Sequence, residues 1–132
     1  MRRQIAMLVL AVSVGACASE SSRPLPSGEQ TFVTHCASCH GPQGEGDGPA
    51  AGIMRVTVPN LRTLRARNEG VFPADSVAAF VDGRNLPASH GDRYMPIWGD
   101  VFEATERLVR GADAPERRIR AVVDFVLELQ YP

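Results

Sequence analysis

Five consecutive residues, Cys36-Ala37-Ser38-Cys39-His40, carry the chemistry of this chain. Two thiols three positions apart can cycle as a redox disulfide, hold half of a zinc site, or add to the two vinyl groups of a porphyrin. The imidazole directly after them discriminates. A thioredoxin-like pair would sit in a β-α-β pattern, and a zinc knuckle would need a second ligand pair at similar spacing; the sequence shows neither. The pentapeptide is therefore expected to bind one haem c, through thioether bonds at Cys36 and Cys39, with His40 as the fifth ligand of the iron.

A sixth ligand must come from elsewhere in the chain. With the first sixteen residues set aside, the thioethers are Met54 and Met95, and the imidazoles besides His40 are His35 and His90. Met95 ends a polar loop, Ser89-His90-Gly91-Asp92-Arg93-Tyr94, and Pro96 after it stiffens the backbone as a ligand-bearing strap requires. Met54 lacks such a frame, and core filling is the ordinary use of a methionine. His90 is the rival ligand and would give a bis-histidine iron. His35 stands beside the attachment residues, but helix geometry points it away from the iron, so a surface or rim position is expected.

These groups need elements to hold them. Ser27-Gly28-Glu29-Gln30 has the form of a capping box and opens a helix whose Phe32, Val33 and Cys36 face the haem edge. The stretch from Gly41 to Pro49, with four glycines and two prolines, can only be a loop wrapped closely over something. A phosphate cradle is excluded, because no strand precedes it and no lysine follows. Thr57 to Leu61 reads as extended, followed by a short helical segment to about Asn68, stopped by Glu69-Gly70, with Leu61 and Leu64 placed to pack on a ring. Phe72-Pro73-Ala74-Asp75 opens a further helix with Val77, Phe80 and Val81 on one face and Gly83 as its stop. Val101 to Arg110 reads as an amphipathic helix burying Phe102, Leu108 and Val109. Asp113-Ala114-Pro115-Glu116 repeats the capping pattern, with proline in the first turn. The last helix then carries a stripe of Ile119, Val122, Val123, Val126 and Leu129 or Gln130, with Asp124 and Glu128 toward water, and the first helix is its expected partner.

The start of the chain has another character. Met1-Arg2-Arg3-Gln4 is basic, and Ile5 to Val14 is an apolar run too short to span a bilayer as a permanent helix, so residues 1–16 read as an export signal. Val14-Gly15-Ala16-Cys17 resembles the lipobox of bacterial lipoproteins, in which case Cys17 becomes an acylated first residue. The alternative is an ordinary signal peptide cut nearby. Lipidation would give all three cysteines a use, where a spare exposed thiol is a liability in an oxidising compartment. Each buried methylene of an acyl chain adds ~0.8 kcal/mol of membrane affinity. Residues 17–27 form the acylated cysteine and a Ser- and Pro-rich tether, of which the ten residues from Ala18 to Ser27 reach at most ~35 Å. The domain proper, residues 28–132, is small and would gain much of its core from a haem.

Composition narrows the partners. The chain has no lysine, and its net charge is −1, with fourteen basic and fifteen acidic side chains. Loss of Arg2 and Arg3 with the signal leaves about −3. A nucleic-acid binder would show a basic face, so none is expected. The arginine runs Arg62, Arg65, Arg67 and Arg117, Arg118, Arg120 read as solvated helix faces. No Ser-His-Asp set or paired carboxylates point to a small-molecule substrate, and no catalytic residue is assigned.

Taken together, Cys39-His40-Gly41-Pro42, Gly46-Asp47-Gly48-Pro49 and Met95-Pro96-Ile97-Trp98-Gly99 make residues 28–132 resemble a class I c-type cytochrome of the small bacterial kind. The resemblance implies an all-α domain of about four to five helices around one covalent haem c, with the first and last helices packed together. It further implies His40 and Met95 as axial ligands, a carbonyl near Pro49 as acceptor for the second ring nitrogen of His40, and electron transfer as the activity. The lysine rim with which mitochondrial members dock is missing. The expected role is a membrane-tethered periplasmic electron carrier between a donor and an acceptor redox protein, with Ala18 after the cysteine resembling lipoproteins destined for the outer membrane. The alternatives are a haem-based ligand-binding or sensory module whose Met95 strap opens, and a cytochrome subunit fixed to one dehydrogenase or oxidase.

Overall fold

The computed structural model describes residues 24–86 and 94–132. The expected export signal, Cys17 and His90 lie outside these residues, as does the expected loop Ser89–Tyr94 apart from Tyr94. Helix α1 (Gly28–His35) begins as its sequence dictates: Ser27 Oγ accepts from the Gln30 amide at 3.1 Å, and Gln30 Oε1 accepts from the Ser27 amide at 3.0 Å. At Cys36 the helix breaks and restarts as the single turn α2 (Ala37–His40). Two 3₁₀ turns, Ala51–Ile53 and Leu61–Thr63, lead to another single turn, α3 (Leu64–Arg67). Its stop is the pair expected, since Glu69 and Gly70 both adopt positive φ, 55° and 85°. Helix α4 (Ala74–Asp82) ends on Gly83 in the left-handed region at φ 72°. Helices α5 (Trp98–Arg110) and α6 (Ala114–Glu128) complete the chain. Among the described residues all regular structure is helical, and the four longer helices match the all-α reading.

Helix α6 supports both parts of the core. Toward α1, Phe32 is fully buried with Cys36, Val122 and Val126, and its ring centroid lies 5.2 Å from that of Phe125. The two helices cross this closely because Gly28 has no side chain; a Cβ there would fall 1.9 Å from the Ala121 carbonyl oxygen. Toward α4 and α5, Ile119 and Val123 pack with Val81 and Phe102. Burying each such side chain contributes ~1.5–3 kcal/mol. The stripe read along α6 is therefore the core stripe, and α1 is its partner, joined by α4 and α5.

Several local readings are corrected. Helix α5 starts at Trp98 rather than Val101, and Leu108 is 94% exposed and Val109 55% exposed. The inner position near its end belongs instead to Glu106, which is buried. Val33 likewise faces outward. Asp113 makes no side-chain cap and pairs with Arg117 at 3.4 Å, although Pro115 does occupy the first turn of α6. Arg118 is not on a solvated face. It is 8% exposed and ion-paired to Glu106, because the facing turn of α5 supplies a buried carboxylate.

Candidate haem-binding cleft

Cys36 and Cys39 stand at the junction of α1 and α2, where the break in the helix turns both thiols toward one cleft, as free cysteines. Burial, with Cys39 beside it, pushes the Cys36 thiol up to about 12. The Gly41–Pro49 loop holds this turn by its backbone. The amides of Gly46, Gly48 and Ala50 donate to the carbonyls of His40, Cys39 and Ser38 at 2.8, 3.1 and 2.8 Å. Only glycine fits where the loop crosses α2, since a Cβ on Gly48 would lie 2.5 Å from the carbonyl oxygens of Ala37 and Ser38.

The His40 ring is oriented from farther away. Its Nδ1 lies 3.3 Å from the carbonyl oxygen of Pro59, so Nδ1–H donates to that oxygen and Nε2 keeps its lone pair. This corrects the expectation of a carbonyl near Pro49. That stretch is committed to the backbone of α2, and the extended segment Thr57–Asn60 passes the imidazole instead. Burial lowers the proton affinity of His40, against the opposing effect of the Pro59 hydrogen bond.

Around these residues the structure leaves an almost wholly apolar cleft in two lobes, of about 250 and 280 Å³. Both lobes are walled by Cys36, His40, Pro59, Phe80 and Met95. The outer lobe adds Met54, Tyr94 and Trp98, and the inner lobe adds Phe32, Leu61, Leu64 and Val126. Together they fall in the range of ~300–1,000 Å³ typical of cofactor sites. Met95 is partly buried against the Val81–Phe102 cluster. Of the two thioethers, Met95 borders both lobes, as His40 does, whereas Met54 borders the outer one.

A porphyrin fits this donor set. Two thiols, an imidazole with its Nε2 lone pair free and a thioether surround a volume with little else polar, and Leu61 and Leu64 line it as the sequence anticipated. His35 is a wall residue as well as a rim residue. Its ring centroid lies 5.1 Å from that of Trp98 and 5.7 Å from that of Phe102, which the helical pattern of α1 alone did not signal. Sequence reasoning also missed Pro59, since no spacing rule pairs a ring nitrogen with a carbonyl nineteen residues away.

A family model for cytochrome c matches residues 26–130. Neither the curated proteins nor the solved structures give a match. The match covers most of the 132 residues and contains the whole cleft. The chain belongs to the cytochrome c family, the all-α electron-transfer proteins that bind haem c covalently.

Proposed function

We propose that this protein is a monohaem electron carrier whose haem is bonded to Cys36 and Cys39 and ligated by His40 and Met95. The observation that carries this reading is the apolar cleft bordered on both lobes by His40 and Met95, with the imidazole pinned through Nδ1 to Pro59. When bound, the haem supplies a one-electron Fe(II)/Fe(III) couple whose potential depends strongly on its axial ligands. The chain's own residues set the conditions. Pro59 O keeps His40 in the tautomer that presents Nε2 and raises its basicity. Met95 supplies a soft neutral donor that favours the reduced state. Phe32, Leu61, Leu64 and Val126 keep water from the inner lobe, while Tyr94 and Phe80, both exposed, leave an edge near the surface for transfer.

Residues 17–27 would tether this domain through an acylated Cys17 to the periplasmic side of a bacterial membrane, between a donor and an acceptor redox protein. No helix among the described residues is long and apolar enough to cross a membrane. The test is the reaction of the reduced holoprotein with carbon monoxide at neutral pH. A carrier with Met95 in place binds it slowly and incompletely. Rapid, complete binding would instead establish a ligand-binding or sensory module.

A further inference from the structure

The haem cleft has a neighbour that electron transfer alone does not require, a buried polar cluster at the meeting of α1, α5 and α6. Arg118 donates through Nε to Thr31 Oγ1 at 3.3 Å, and its Nη1 is ion-paired with the Glu106 carboxylate. The same carboxylate takes Arg110 on its other side. The guanidinium lies over the Phe102 ring, with Cζ 4.6 Å from its centroid. Its remaining nitrogen, Nη2, is 3.2 Å from His35 Nε2. A guanidinium only donates, so Nε2 of His35 must accept and its proton sits on Nδ1. The ring thus held leans on Trp98 and Phe102, which are themselves stacked at 5.8 Å with an interplanar angle of 26°. Trp98 is the first residue of α5 and follows Met95 by three positions. Both side chains pack on the Val81–Phe102 cluster, and both line the outer lobe.

We propose that Arg118 and His35 are positioning residues for the sixth-ligand strap: Arg118 fixes the imidazole of His35, and that ring holds Trp98, and with it residues 95–97, against the cleft. This deepens the assignment of Met95 and rests on it. The arrangement has a physical rationale. A strap stiffened at one point by Pro96 needs an anchor on its far side, and a buried ion pair supplies a rigid one. Burial and the nearby guanidinium both lower the proton affinity of His35, which agrees with a neutral ring kept as an acceptor.

The test uses full-length holoprotein carrying His35→Ala, Arg118→Lys, or both. Lysine at 118 keeps a cation against Glu106, so the helices stay paired, but it lacks the fork that reaches Thr31 and His35 together. Three quantities are read: the sulfur-to-iron charge-transfer band, the rate of carbon monoxide binding to the reduced iron, and the emission of Trp98, the sole tryptophan of the chain, which a haem beside it quenches. Each single variant is expected to weaken the band and to speed carbon monoxide binding about tenfold, the size of an ordinary coupling between packed neighbours. The double variant should be no worse than His35→Ala, because Arg118 acts through that ring. Band and rate within twofold of wild type in His35→Ala overturn the proposal, and a silent Arg118→Lys overturns the part given to Arg118. Should wild-type protein itself lack the band, the Met95 assignment fails, and the pair is judged on Trp98: increased emission in both variants sustains its hold on that ring, and unchanged emission refutes it.

Discussion

His40 Nδ1 and the carbonyl oxygen of Pro59 stand 3.3 Å apart across nineteen residues of chain, and this hydrogen bond decides which nitrogen of the imidazole faces the cleft. A backbone acceptor cannot be deleted by changing a side chain, but it can be loosened. Proline fixes φ at residue 59, so Pro59→Gly frees the carbonyl to turn away. An imidazole without its acceptor is a poorer donor to ferric iron. With ~0.5–1.5 kcal/mol for the bond and tenfold per 59 mV for a one-electron couple, the potential should rise by about 20–60 mV. A spectroelectrochemical titration of Pro59→Gly beside wild type measures it.

The crossing of α1 and α6 is the main mechanical joint. Phe32 is fully buried at that crossing and also lines the inner lobe. Phe32→Ala should cost ~3–5 kcal/mol through lost burial and the cavity left behind. Urea unfolding monitored by far-ultraviolet circular dichroism gives the value, and the haem should remain covalently attached.

Acid should weaken the fold through His35. Its pKa in the folded protein lies below its ordinary 6.5, from burial first and the Arg118 charge second. In the window between these two values the unfolded chain takes up a proton that the folded protein refuses. Its stabilising effect is thus complete above pH 6.5 and is lost as pH falls through the folded value. Replacing His35 with Phe should flatten the slope of unfolding free energy against pH on the acid side of 6.5, as followed by urea titrations at several pH values.

The C-terminus is clasped from outside. Arg62 reaches Glu45 at 3.0 Å and the Leu129 carbonyl at 3.1 Å and lies 4.1 Å under the Tyr131 ring, while Tyr131 Oη donates to Glu45 at 3.1 Å. Glu45 and Arg62 remain partly solvated, so Glu45→Gln should cost only ~0.2–1 kcal/mol and less at high salt. Arg62→Ala, which also removes the carbonyl bond and the ring contact, should cost more. Thermal melts at two ionic strengths separate these contributions.

Attachment to the membrane has an equally direct check. Cys17→Ala, expressed with its export signal, should move the haem protein from the membrane fraction to the soluble periplasmic fraction. Retention on the membrane would contradict the lipobox reading.

Much of this molecule was legible because its signals are local. The capping box at Ser27, the stripe from Ile119 to Val126 and the left-handed stop at Gly83 each follow from neighbours a few positions apart, and each appears as read. What escaped depends on residues that meet only after folding. Leu108 follows Phe102 by six positions, about 240° around a helix of 3.6 residues per turn, so it points outward once Phe102 points in. Its place near the core goes to Glu106, a choice that makes sense only because Arg118 arrives from α6. Arg118 looked like one of a solvated run for the same reason. In the cleft, Cys36, Cys39, His40 and Met95, singled out by type and spacing, border one volume, whereas Pro59 and the contacts of His35 gave no signal in the sequence.

The redox role proposed for the cleft depends on Met95 as the partner of His40. The most direct measurement is the oxidised optical spectrum of the full-length holoprotein, wild type beside Met95→Ala, in the region of the weak sulfur-to-iron charge-transfer band. With Met95 on the iron, the band is present in wild type and absent in Met95→Ala, with the haem still covalently bound in both. A wild-type spectrum without the band, or a band that survives in Met95→Ala, would contradict it and give the sixth position to His90, to Met54 or to an exchangeable ligand.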